Sequence, residues 1–326
     1  MTVYALASEL DRALSGASVA GVRRYPEGVS LKLERAPFPW IHILYHRREP
    51  ELICSNREIA PLELTIEEMG AAVGRRISGV RSLGLERVLV VALAGGAEWG
   101  AGRDLALRAD LTPAAKPLAL YEGSTERTLA AIGPRKARRA SRSEDVLPGK
   151  RYSLLALPDR PPDDIFARDG AGTTHPAAPE HTRAWKSSRE TAVALSRSIG
   201  GVDPVLAAVL SRETKGDVAR LWPALVEVGR RLAAGESSGT WSWHLYEFPE
   251  EGESAALALY PVELPVAAGG TSAGSFLEAF EAWGERLVVP SYAAHLGRAA
   301  SSRLARELKR LERLSANLAR DLANAV

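Results

Sequence analysis

The chain has 326 residues, enough for two domains of ordinary size, and its 46% apolar and 25% charged residues are those of a globular protein with a real core. Its 42 basic and 40 acidic residues leave a net charge of +2, so no global attraction toward nucleic acid follows. Any such attraction must come from local patches, and the single cysteine excludes both a disulfide framework and a cysteine-based zinc site.

In chain order, the first 157 residues predict a strand-rich α+β domain. Leu6, Leu10 and Leu14, with Ala13, fit one face of a short helix that Gly16 can end. Val29 to Glu34 alternates apolar and polar residues, the pattern of a half-buried strand. Trp40–Tyr45 and Glu51–Cys54 read as further strands around the charged turn 46–50, and Leu52 and Ile53 point to a buried Cys54 thiol. Ile66 to Val73 predicts a helix. Ser78–Arg81 and Arg87–Leu93 predict paired strands around Leu83-Gly84-Leu85, and Leu105–Leu111 and Leu118–Tyr121 continue the sheet.

Composition changes from 158 to 186. Pro158, Pro161, Pro162, Pro176 and Pro179 stand among Asp, Gly and Thr with few large apolar groups, which is linker chemistry. A helical domain with a small strand pair is expected over 187–297. Ala192–Ser198 runs into Gly200-Gly201, and Asp203 (N-cap) with Pro204 (first turn) opens the next helix, through Arg212. Leu221–Leu232 is a further helix, and Trp241–Phe248 and Ala255–Leu264 are two strands about an acidic turn. Over 298–326, Leu304, Leu308, Leu311, Leu318 and Leu322 fall on a heptad a/d pattern with Ser315 in the remaining slot. Seven basic and three acidic residues lie there, and the pattern predicts the start of a coiled coil, either cut short or in need of a partner strand.

Catalytic patterns are missing from the residue content. The six histidines (42, 46, 175, 181, 244 and 295) show no metal-ligand spacing, and no nucleophile elbow, phosphate loop or dinucleotide fingerprint is present. The Gly-rich run 95–102 reads as a hairpin loop. Glu67-Glu68, on the expected helix, and Asp163-Asp164, in the linker, sit in no pattern that tunes a carboxyl for acid–base work. The expectation is therefore a non-enzyme with no cofactor and no metal. The N-terminus lacks a signal-peptide pattern, and no apolar run reaches the ~20 residues of a membrane span. Without a membrane segment or export signal, the expected compartment is the cytoplasm.

Three features point to phosphate contacts. Arg135, Lys136, Arg138, Arg139 and Arg142 form a basic run without an acid, which is either a solvated face or a phosphate-tracking loop. The helix–Gly200-Gly201–helix element resembles a helix-hairpin-helix, whose second helix can offer N–H groups and its dipole to a phosphate; a plain packed hairpin is the alternative. The third is the basic flank of the heptad segment.

Taken in order, these segments resemble the N-terminal half of the NFACT family, which includes the fibronectin-binding-protein-A-like bacterial proteins. Leu6 to Gly16 looks like that family's first helix and turn. Arg81-Ser82-Leu83-Gly84-Leu85-Glu86-Arg87-Val88 is similar to its GxDR strand, and Leu107 to Pro113 aligns with its ELMG stretch. Val146 to Tyr152 resembles its PGxxY segment, Ile199 to Ala207 its GlSPxLA segment, and Ser275 to Phe280 its approach to the coiled coil. The resemblance implies a first domain with the fold of formamidopyrimidine-type DNA glycosylases but without catalysis, since Thr2-Val3 replace the catalytic proline and its acidic partner. It also implies partners: tRNA and the stalled large ribosomal subunit, in ribosome-associated quality control that extends to alanine tailing in bacterial members. No membrane is implied. Glu86, Arg87, Asp110, Leu111 and Thr112 then fall in the tRNA-contacting region, joined by the basic run and the Gly200-Gly201 hairpin. Glu86 departs from the family's Asp, Pro113 from its Gly, and Lys116-Pro117 from its Ser-Asn. Family members continue through a long coiled coil to a second RNA-binding domain, so the chain reads as a fragment or as a shortened relative. A DNA-binding protein of glycosylase-like fold is the alternative reading, and a fibronectin-binding surface adhesin ranks below it.

Overall fold

The computed structural model describes residues 2–46, 50–59, 66–85, 87–95, 104–112, 117–123, 125, 127–133, 152–162, 188–248, 256–266 and 270–325. The chain forms two compact units, Met1–Trp283 and Gly284–Val326.

The first unit begins with α1 (Thr2–Leu14), which buries Leu6, Leu10 and Leu14 on one stripe and gives way to a left-handed Gly16 at φ +83°. Each of those leucines stabilises the fold by about 2 kcal/mol of burial. Five strands follow in one antiparallel sheet: β1 (Ser18–Tyr25), β2 (Gly28–Glu34), β3 (Trp40–Leu44), β4 (Glu51–Ser55) and the short β5 (Ile66–Glu67), in the order β4-β3-β2-β1-β5. A second antiparallel sheet is a plain meander of β6 (Ile77–Ser82), β7 (Val88–Leu93), β8 (Leu105–Asp110), β9 (Leu118–Glu122) and β10 (Arg127–Ile132). The sheets are stitched at one corner, where Val19 N donates to Arg75 O and Ile77 N to Ala17 O. Their inward residues share one core with α1, including Val19, Leu31, Ile41, Cys54, Leu89, Leu107 and Leu120. Asp11 on α1 accepts from Val80 N at 2.7 Å, fixing the helix beside β6.

A two-residue strand, β11 (Tyr152–Ser153), leads to the helical part: α2 (Ser188–Ser198), β12 (Ile199–Gly200), α3 (Pro204–Glu213) and α4 (Val218–Ser238). Asp203 caps α3 by accepting from Leu206 N at 2.9 Å, as its sequence position predicts, and Asp217 caps α4 in the same way through Ala219 N. A three-stranded sheet follows, with β13 (His244–Phe248) between β14 (Ala256–Tyr260) and β15 (Thr271–Ser272), and then α5 (Phe276–Trp283). The pleat divides this sheet between two cores. Leu245 and Leu259 join the first core, whereas Tyr246, Phe248 and Tyr260 join a second one built on α2, α3 and α4. The second unit consists of a wide π-turn (Gly284–Val288) and α6 (Val289–Ala325), 37 residues long.

Several expectations are corrected. Ile66–Val73 is not a helix: Ile66 and Glu67 pair with β1, Met69 is left-handed, and a 3₁₀ turn covers Gly70–Ala72. The Ile66, Met69, Val73 spacing imitates a helix, but Ile66 and Val73 are exposed, so no apolar face exists to hold one. Glu67 and Glu68 accordingly sit beside a strand, paired with Arg23 and Arg24. β2 is a central strand buried on both faces rather than half-buried. Two strands, β1 and β10, escaped the pattern. A register shift between Val19 and Gly21 breaks the alternation of β1, and β10 is an edge strand with most of its residues exposed. Of the expected linker, Pro158 is anchored by its carbonyl, which accepts from Trp222 Nε1 at 2.8 Å; residues 163–186 lie outside the described residues, as do the Gly-rich run from 96 and Asp163-Asp164.

Candidate nucleic-acid interface

The residues singled out in the sequence divide by where the backbone puts them. β7 and β8 pair in register from Val88 opposite Asp110 to Leu93 opposite Leu105. Period-two alternation turns Leu105, Leu107, Ala109 and Leu111 into the first core and leaves Ala106, Arg108 and Asp110 on the other face of the sheet. Just past this ladder, Leu111 N donates to Arg87 O at 2.8 Å. The pairing therefore brings Arg87, Asp110, Leu111 and Thr112 to one end of the sheet, though they come from two separate segments.

Each side chain there has a defined setting. Arg87 is half-buried and its Nη2 donates to Pro50 O at 3.1 Å, which ties it to the chain entering β4. Asp110 is buried, and its Oδ1 accepts from Thr112 N at 3.1 Å and from Thr112 Oγ1 at 2.6 Å, closing a tight side-chain turn. Asp110 Oδ2 lies 3.8 Å from Arg108 Nη2, a charge contact too long for a strong hydrogen bond. Arg108 and Asp110 are 9% and 4% exposed, so each compensates a charge the other could not bury alone. Leu111 is a core residue, and it supplies position rather than a polar group. On the same sheet, Glu122 is buried and its Oε2 accepts from Thr125 Oγ1 at 2.9 Å.

Arg108 was missed in the sequence. The alternation of Leu107, Ala109 and Leu111 already placed it on the face of Asp110, and a polar pair two apart on an otherwise apolar strand was the available signal. Glu86 and the basic run with Arg135, Lys136, Arg138 and Arg139 lie outside the described residues.

Gly200 and Gly201 have a different environment. Both are buried, and Gly200 pairs with Ser153 across β11 and β12. Gly201 has φ +91°, and a Cβ there would stand 2.8 Å from Leu85 Cδ1 and 3.3 Å from Leu154 Cβ. Their lack of side chains lets the α2–α3 turn press onto Leu85 and Leu154. The N-terminal end of α3 is filled from within the protein: the Asp203 carboxylate caps it and also accepts from Tyr260 Oη at 3.1 Å, while Pro204 has no N–H to offer. Burial and that carboxylate both raise the Tyr260 pKa well above the usual phenol range.

A buried polar chain on the outer face of the first sheet was not foreseen either. Ser30 Oγ lies 2.6 Å from His42 Nδ1 and 2.9 Å from Tyr25 Oη, and His42 Nε2–H donates to Arg57 O at 2.9 Å. The carbonyl can only accept, so Nδ1 is the acceptor and the ring is the neutral Nε2–H tautomer. Burial pulls the His42 pKa down to about 4, against the hydrogen bond to Arg57 O and the nearby Glu58 charge. Trp40 stacks on His42 and carries the Arg23 guanidinium 5.1 Å from its centroid. His42 is thus a satisfied core histidine. Cys54 is wholly buried, and burial alone pushes its thiol pKa up, so it is held as a thiol. Among the described residues no group of three or more His, Cys, Asp or Glu could hold a metal ion, and no helix is long and apolar enough to cross a membrane.

The sequence matches no family model and no curated protein. Solved structures are similar. The fibrinogen binding protein from Staphylococcus aureus superposes with a TM-score of 0.50 at 12% identity, over 86% of this chain and 98% of that one. The N-terminal part of the fibronectin/fibrinogen-binding protein from Streptococcus suis gives 0.49 at 15% identity, over 87% and 96%. The N-terminal domain of the fibronectin-binding protein PavA from Streptococcus pneumoniae gives 0.41 at 14% identity, over 86% and 96%. At such identity the Staphylococcus aureus likeness is one of fold alone: a strand-rich α+β body that ends in a C-terminal helix.

Proposed function

We propose that the chain is a non-catalytic RNA-binding factor of the NFACT type that engages tRNA and the stalled large ribosomal subunit. The observation that carries this reading is the meeting of Arg87 with Asp110 and Thr112 at the end of β7 and β8. These are the two segments that resemble the family's tRNA-contacting motifs, and the fold joins them although 22 residues separate Arg87 from Asp110 along the chain. An arginine anchored through a backbone carbonyl is oriented for bidentate phosphate contact. The likeness of fold to the Staphylococcus aureus protein over nearly all of that chain is consistent with the same reading, and so is the run of arginines on α6. The proposed first domain is glycosylase-like without glycosylase chemistry, and the α2–α3 hairpin is its helix-hairpin-helix counterpart, used here for packing. Alanine tailing would belong to a longer relative.

The names of the similar structures refer to fibronectin and fibrinogen as ligands of those proteins. No side-chain arrangement here favours that ligand class over RNA. Titration of labelled tRNA, duplex DNA of the same length and fibronectin against the chain separates the readings. Binding of tRNA about tenfold tighter than DNA, falling with added salt, is expected from contacts to A-form backbone. Equal binding of tRNA and DNA, or binding to fibronectin alone, contradicts it. Co-sedimentation with large ribosomal subunits in low and moderate salt tests the second partner, and absence from the subunit fraction in both contradicts that part.

A further inference from the structure

On α6 every residue from 297 to 321 is exposed. Within that stretch Leu304, Leu308, Leu311, Leu314 and Leu318 are 71, 60, 61, 48 and 63% exposed. Isolated surface leucines need no explanation, but five along one stripe of one helix do. Leu304, Leu311 and Leu318 fall at d positions and Leu308 at a, while Ser315 takes the next a and Leu314 widens the stripe at g.

The charges around this stripe are sorted. Between 303 and 321, six cations (Arg303, Arg306, Lys309, Arg310, Arg313 and Arg320) occupy b, c and f positions, on the side away from the leucines. The three acids of the same stretch, Glu307, Glu312 and Asp321, occupy g and e positions, beside the leucines. The Arg310–Glu307 contact at 3.4 Å is an exposed pair and leaves the flank acidic. We infer that this stripe is the docking face for a partner helix that carries Lys or Arg beside its own apolar stripe. Flanking e and g charges select coiled-coil partners, and an acidic border selects a basic one.

The same border disfavours other occupants. A second copy in parallel sets Glu307 against Glu312 of its mate, and an antiparallel copy sets e against e and g against g, acid against acid. An anionic lipid surface meets those acids at the level of its headgroups while the arginines point away. A basic-flanked helix alone covers the leucines, neutralises the border and leaves the arginine face open.

The test uses the full chain and two synthetic four-heptad peptides with Leu at a and d, one with Lys and one with Glu at e and g. Fluorescence anisotropy should show one-to-one binding of the Lys peptide and binding of the Glu peptide weaker by on the order of tenfold or more. Glu307→Lys with Glu312→Lys should reverse that preference. Leu308→Ser with Leu311→Ser should abolish binding of both peptides and leave the main thermal transition unchanged, because these side chains are exposed. Equal binding of the two peptides, or no binding of either, overturns the inference. So does a dimer of the chain alone, seen by light scattering, that Leu308→Ser with Leu311→Ser dissolves. Tighter association with phosphatidylglycerol vesicles than with the Lys peptide overturns it as well.

Discussion

The end of the β7–β8 ladder and the α2–α3 turn carry residues with the same sequence credentials, yet their physical situations are opposite. Around Arg87, a backbone ladder collects polar side chains at a sheet end and holds them with a carbonyl, a hydroxyl and a carboxylate. At Gly200-Gly201, the missing side chains are filled by Leu85 and Leu154, and the helix end beside them is occupied by Asp203. A Gly-rich turn before a helix binds an anion only where its N–H groups stay unclaimed. Here they stand against the protein's own core and carboxylate, so the two regions should separate cleanly under mutation, one by stability and the other by binding.

The largest effect is expected in the helical region. Gly229 of α4 lies against Leu154, where a Cβ would come 2.1 Å from the carbonyl oxygen, so Gly229→Ala must displace the helix. Gly201→Ala adds a left-handed backbone penalty to a 2.8 Å clash with Leu85. Either change should cost about 3 kcal/mol or more in denaturant unfolding. A loss under about 1 kcal/mol at Gly201 would return that turn to the surface and reopen its phosphate reading.

Next comes the charged pair beside the candidate site. Asp110→Ala leaves Arg108 buried with an uncompensated charge and strips Thr112 of its acceptor, a change expected to cost about 3 kcal/mol. Arg108→Met with Asp110→Leu should recover most of that loss. If the double variant is no more stable than Asp110→Ala, the pair does not act as a unit.

The pH dependence is of similar size. The folded-state pKa of His42, about 4, lies below its ordinary 6.5. The unfolded chain therefore binds the proton first as pH falls, and stability is lost between pH 6.5 and about 4. Full titration removes about 3 kcal/mol. Glu9, raised by burial, contributes in the opposite sense, so the His42 share is isolated by comparison with His42→Asn, whose unfolding free energy should be flatter across that window. Parallel profiles for the two proteins would show that His42 is not the group responsible.

Much of this architecture was legible from residues. Leu6, Leu10 and Leu14 announced α1, and Asp203-Pro204 announced the start of α3, because caps and periodicity are local signals. β7, β8 and β9 were readable because their apolar runs are short and bounded by turn residues. Ile66–Val73 misled because its helical spacing lacked a surface to pack on, which only the fold reveals. The burial of Ser30 and His42 was equally hidden: alternation marked Ser30 as outward, and only the packing on that face and its pairing with His42 explain why it is dry. For the candidate site, the two segments around Arg87 and Asp110 were legible one at a time, but their meeting depends on strand register, and the role of Gly201 depends on Leu85 and Leu154, far away in sequence.

The smallest stability effect, and the most informative change, belongs to Arg87. Its side chain is half-buried with one carbonyl contact, so Arg87→Ala should cost about 1 kcal/mol in unfolding free energy. Measured tRNA affinities of the wild type, Arg87→Ala and Gly201→Ala, each set beside its own unfolding free energy, test the account most directly. Arg87→Ala should weaken tRNA binding about tenfold with stability nearly kept, and Gly201→Ala should lose stability while its folded fraction binds normally. Unchanged tRNA affinity in Arg87→Ala, or a collapse of its stability, would contradict the account.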